Sequence, residues 1–160
     1  MEKVHEMREK AEKNLKIGNH LLTQSYPLVK DPKLLVAVLQ NIFLATASSM
    51  TAILYYEREN KSIPPFHDSF DAKFELFKKV APKYSIPPDT LRAMLDMKTI
   101  ITAHQEASVS FSRKDAFVIC EEGYRLRTLT AESLKPLMAK AKLFIEQMEQ
   151  ITTNNTVMTP

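Results

Sequence analysis

One cysteine and two glycines are all that the 160 residues hold of either type. The single thiol, Cys120, excludes an internal disulfide and a thiolate zinc cluster. With only Gly18 and Gly123 there is no glycine-rich loop to cradle a phosphate. No internal repeat is visible. The four histidines, His5, His20, His67 and His104, are scattered, and none has the spacing of a helical zinc pair. Neither a metal nor a cofactor is therefore expected. The carboxylates are interleaved with lysines, as on solvated helix faces, so no catalytic carboxylate pair stands out. The N-terminal stretch MEKVHEMREKAEKN is charged throughout and is no signal peptide, which predicts a cytoplasmic protein.

What is present is ordinary for a globular chain. A hydrophobic content of 44% beside 26% charged residues supports a proper core, and the length suits one domain. A net charge of +3 and a pI near 8.9 allow an anionic partner without requiring one. One stretch, LLVAVLQNIFLATASSMTAILYY at 34–56, is long and apolar enough to raise the question of a membrane span. Gln40, Asn41, Ser48 and Ser49 interrupt it, and polar side chains in lipid are costly. A central buried helix of a bundle is the simpler reading, with no membrane partner.

Periodicity predicts five helices. The first covers about 3–24, with Val4, Met7, Ala11, Leu15, Gly18 and Leu22 on one face. SYPLVKDPK breaks it, and Asp31 followed by Pro32 starts a second helix over about 32–60. NKSIPPF ends that one. Asp68 or Ser69 caps a third, striped by Phe70, Phe74, Phe77 and Ala81. A fourth, about 90–105, is apolar on two sides: Leu91, Met94, Leu95 and Ile101 on one, Ala93, Met97, Ile100 and His104 on the other. The last, about 131–151, is capped by Thr130 or Ser133. Its Pro136 is expected near the start, where a missing amide matters least. The fold class is all-α: an up-and-down helical bundle in a single domain over 1–151, with a disordered tail at 152–160.

One segment has a different period. AFVIC and YRLRTLT are β-rich, and EEG between them suits a hairpin loop ahead of the last helix. Alternation puts Tyr124, Leu126 and Thr128 on one side, with Arg125, Arg127 and Leu129 on the other. Phe117, Ile119, Tyr124 and Leu126 are expected to dock the hairpin on the helices. The segment carries Arg113, Lys114, Arg125 and Arg127 near His104, which would form a phosphate-binding patch if folding gathered them. Two further groups, Lys73, Lys78, Lys79 and Lys83, then Lys135, Lys140 and Lys142, are expected either on solvated faces or, where folding brings two of the basic groups together, in such a patch. Ser110 and Ser112 lie near His104, but no acid is evident to orient the imidazole. Cys120, in an apolar run, is expected to be inert.

The stretch from about 91 to 148 resembles the C-terminal part of small archaeal proteins of the HEPN superfamily. His104, Phe111, Arg113, Lys114, Phe117, Ile119, Cys120, Tyr124, Arg125 and Arg127 carry the resemblance. It implies a helical bundle that dimerises and handles RNA or nucleotides. Many such domains are metal-independent ribonucleases that use an arginine followed, four to six residues later, by a histidine. On this resemblance His104 takes the histidine place, and Lys98 stands six residues before it. Lysine is a point charge and cannot hold a phosphate bidentately. Residues six apart on a straight helix also point about 120° from each other. The expectation is therefore an RNA- or nucleotide-associated homodimer that binds rather than cuts. A dimeric protein-interaction module without nucleic acid, or a ribonuclease using Lys98 and His104, are the rivals. A histidine that merely anchors the hairpin is the plainer role for His104.

Overall fold

Pro27 shapes the end of the first helix. Proline has no N–H, and its ring collides with the carbonyl four residues back in a regular helix. Here α1 (Glu2–His20) opens into a π turn over Leu21–Ser25, with the Tyr26 amide donating to the Leu21 carbonyl. A last helical turn, Tyr26–Val29, carries the proline. The helix thus outruns its expected end at residue 24. It stops where Lys30 turns left-handed and donates to the Tyr26 carbonyl. The structure, a computed structural model, describes residues 1–106, 109–121, 123 and 125–157, with side chains through Thr153.

The remaining helices follow their capping signals. The Lys33 amide donates to Asp31 Oδ1 at 3.0 Å at the head of α2 (Lys33–Glu59). Ser69 accepts from the Ala72 amide and opens α3 (Phe70–Val80). A 3-10 turn, Ala81–Tyr84, leads to α4 (Pro88–Glu106). Thr130 and Ser133 bond each other's amides reciprocally at 3.0 Å and start α5 (Ala131–Val157). With α5 beginning at Ala131, Pro136 lies beyond the first turn. It sits on an exposed face, where water can take the carbonyl it leaves unpaired. α5 also continues past residue 151, because Ile151 and Thr152 are still buried there. The end of the expected tail, 158–160, lies outside the described residues.

α2 is the central helix. α1 lies along it on one side and α5 on another. Gly18 makes the close approach of α1 possible, since a Cβ there would stand 3.2 Å from that of Asn41. α2 is long and apolar enough to cross a membrane by length and composition, yet most of its apolar stretch is buried within the fold. Two apolar clusters flank it. One joins its second half to Phe74, Phe77, Met94, Phe144 and Met148. The other joins its first half to Tyr26, Met97, Ile100, Leu134 and the sheet residues Phe117, Ile119 and Leu129. α4 buries a single stripe, Thr90, Ala93, Met94, Met97 and Ile100, which passes from the first cluster into the second, so the burial on two sides that its sequence suggests is not found. Leu95 is the part left outside, 43% exposed.

Before α5 the chain forms a three-stranded antiparallel sheet, β1 (Ser110–Arg113), β2 (Ala116–Cys120) and β3 (Leu126–Leu129), in that order. The fold is thus a mostly α-helical bundle with a small sheet ahead of its last helix. The expected hairpin is present as β2 and β3, and β1 is an addition to it. Lys114 and Asp115 turn β1 into β2, with Asp115 at φ 60°, a conformation Asp tolerates better than most residues.

Candidate functional site

The register of the sheet decides which side chains reach the helices. Phe117 pairs with Leu129 and Ile119 with Arg127, while Cys120 pairs with Leu126. Directly opposed residues share a face. Phe117, Ile119, Leu129 and Arg127 therefore look inward, and Leu126 looks out at 58% exposure. The alternation expected for this strand is present with its sides exchanged. Leu126 does not dock the sheet, and Leu129 takes that role. Tyr124 and Glu122 lie outside the described residues.

His104 faces this sheet from α4. Its Nδ1 is 3.3 Å from the Ser110 hydroxyl, and its ring meets Phe117 edge-on with centroids 5.4 Å apart. These contacts fasten the helix to β1 and β2. Among the described residues no carboxylate is bonded to His104 to orient it as a base. Lys98 looks elsewhere. Its ammonium lies 5.0 Å from the ring centroid of Phe70 at the head of α3. α4 is regular over its whole length, so the two side chains diverge around the helix. Within one chain, Lys98 and His104 do not converge on a common point.

The four expected phosphate ligands are placed separately. Arg127 is inward and already engaged: its guanidinium bonds Asp96 on α4, and its Nε donates to Glu121 at 2.9 Å. Arg113 and Lys114 are exposed at the β1–β2 turn. Arg125 is exposed beyond the other end of β2, opposite Glu121, and five residues of β2 at roughly 3.3 Å each put it about 16 Å away along the strand. Among the described residues none of these three cations has a carboxylate partner. Arg113 instead lies over the ring of Phe111, 5.6 Å from its centroid.

The other lysines are mostly answered by acids, three of them close in sequence and two, for Lys140 and Lys83, distant. Lys73 bonds Asp68, Lys78 bonds Glu75, Lys135 bonds Glu132 and Lys140 bonds Asp89. Lys83 reaches the buried carboxylate of Glu57 with 3.1 Å to each oxygen, and the Tyr84 hydroxyl also donates to it. Burial, the bond to Glu57 and its negative charge push the Tyr84 phenol well above the ordinary range. Between α1 and α5, the hydrogen bond to Glu12 holds the Glu149 carboxyl above the usual glutamate range. Burial and the charges of Glu12 and Glu146 add to this, and Arg8 opposes it. Cys120 is half-buried and unpaired with any other thiol. Among the described residues no three His, Cys, Asp or Glu side chains are grouped to hold a metal ion.

Sequence reasoning missed two residues that give these cations their surroundings: Asp96 for Arg127 and Phe70 for Lys98. Each comes from another element, so no local spacing could announce it. Compared with known proteins, the chain matches no family model, no curated protein and no solved structure at a significant level.

Proposed function

We propose that this chain is a HEPN-like, homodimeric protein of the cytoplasm that binds RNA or a nucleotide without cleaving it. The observation that carries this reading is the exposed pair on β1. The Arg113 guanidinium lies over the Phe111 ring, Lys114 follows it in the turn, and neither cation is neutralised by a described carboxylate. Single-stranded RNA is held by such surfaces: bases stack on aromatic or guanidinium planes while cations follow the phosphates. The divergence of Lys98 and His104 supports binding over cutting. Cleavage would need a base at the 2′-hydroxyl and a well-aimed donor at the developing charge, and these two side chains do not share a target within a chain.

A second reading has its own support. Phe111 and Leu126 sit on the outward face of the sheet, with Val109 exposed just ahead of β1. That face suits a protein partner as readily as a base. The experiment is anisotropy of labelled single-stranded RNA over a salt series, with a parallel gel for cleavage in EDTA. Binding should weaken with salt by about 0.7 per phosphate contact in the log–log slope. Arg113→Ala with Lys114→Ala should flatten that slope, and Phe111→Ala should lower affinity at every salt concentration. No binding at low salt would hand the face to a protein partner. Cutting that His104→Ala abolishes would make the protein a ribonuclease.

A further inference from the structure

We infer that the groove between α2 and α4 is a binding site for a small organic carboxylate with an apolar body. The groove encloses about 330 Å³, at the small end of ordinary ligand sites, which run from roughly 300 to 1,000 Å³. Two helical stripes form its walls. On α2 they are Gln40, Phe43 and Leu44; on α4 they are Lys98, Ile101, Thr102 and Gln105. Both stripes follow the spacing that puts side chains on one face of a helix. Met94 shares a cluster with the second half of α2, and Ile100 shares one with the first, so the helices run antiparallel and their stripes face each other along the groove.

The chemistry of the lining is one-sided. Among the described residues Lys98 is its only charged group, and no carboxylate contributes to it. Among the described residues Lys98 has no acidic partner; it rests against the Phe70 ring, itself packed on Phe43 at 5.3 Å between centroids. An aromatic face positions an ammonium without neutralising it. The charge therefore stays available to an anion at one end of the groove. Gln105, two turns along α4, and Gln40 supply amide donors and acceptors. Phe43, Ile101 and Leu44, the last 41% exposed, form the apolar stretch. A positive end, an apolar middle and neutral polar groups are the features that recognise a carboxylate carrying a hydrocarbon or aryl group. The groove shares no lining residue with the Phe111, Arg113 and Lys114 surface and does not depend on RNA binding.

The test compares 4-phenylbutyrate with 4-phenylbutan-1-ol, which share a body and differ in charge. Binding to the full chain is followed by calorimetry and by methyl NMR shifts of Leu44 and Ile101. The carboxylate should bind at least tenfold more tightly than the alcohol and shift both methyl groups. Lys98→Met should remove that preference and leave alcohol binding unchanged. Equal affinity for the two compounds, a preference that survives Lys98→Met, or no shift at Leu44 and Ile101 at millimolar ligand would overturn the assignment. Should Lys98→Met fail to fold, Lys98→Gln provides the second variant, and it should abolish the same preference for the carboxylate; a tenfold preference that survives in Lys98→Gln would equally overturn the assignment.

Discussion

Arg127 on β3 and Asp96 on α4 are bonded to each other, so a strand and a helix far apart in sequence are joined at the outer edge of the second core. Burial disfavours the guanidinium charge. The bonds and charges of Asp96 and Glu121 more than offset this and hold it above its usual range. The residue is about a third exposed, so each pair is worth only a few tenths to about 1 kcal/mol. Arg127→Ala should cost about 1 kcal/mol, or a fall of about 2–4 °C in Tm for a chain this size. Asp96→Asn should act in the same direction. Thermal melting of both single variants and the double should show non-additive losses; simple additivity would mean that the pair adds nothing.

Phe117 is buried against the helices and meets the His104 ring edge-on. Phe117→Ala should cost about 3–5 kcal/mol in urea unfolding. His104→Ala, at a half-buried position, should cost less. An unchanged unfolding midpoint for Phe117→Ala would show that the sheet contributes nothing to the core.

Glu57 and Lys83 should respond asymmetrically. Glu57 is 2% exposed, whereas most of Lys83 reaches water. Losing the lysine leaves a buried carboxylate with only the Tyr84 hydroxyl, and breaking a buried pair this way costs about 3–5 kcal/mol. Losing the carboxylate charge lets the lysine return to solvent. Lys83→Met should therefore destabilise more than Glu57→Gln, by at least about 1 kcal/mol on the same scale. Equal losses in urea melts would contradict the burial argument.

Glu149 gives the fold a pH dependence of known sign. Its carboxyl binds a proton more readily in the folded protein than in the unfolded chain. The stability it contributes is present in full below the unfolded value, about 4.3, and is lost as pH rises through the higher folded value. At neutral pH the pair with Glu12 is a repulsion. Glu149→Gln should raise Tm at pH 7 by about 1–3 °C, and the gain should shrink on acidification toward pH 4. A gain that is the same at both pH values would assign the effect to something other than this carboxyl.

The helices were legible because their signals are local. The apolar run of α2, the serine ahead of Phe70 and the Thr130–Ser133 pair each lie within a few residues of the element they define. β1 was not legible. SFSR is mostly polar, and its turn uses Asp115 rather than a glycine. The inward face of β3 was not legible either. Alternation separates Leu126 from Leu129 but cannot say which side meets the core, and the pairing of Cys120 with Leu126 settles that. For the candidate site, the exposure of Arg113 and Lys114 agrees with their polar surroundings. The capture of Arg127 depends on Asp96, which only folding brings near.

The π turn ahead of Pro27 has a consequence for how this chain aligns with others. Val4, Ala11 and Gly18 are buried at seven-residue intervals. The next interval falls on Ser25, yet the buried residue is Tyr26. The widened turn between Leu21 and Ser25 absorbs the difference. In alignment terms it is a single-residue insertion inside a helix. A related chain that lacks that residue, and has another residue in place of Pro27, could keep the same buried stripe on an unbroken α-helix. An alignment that forbids gaps within helices would place everything between the π turn and the next loop one residue out of step.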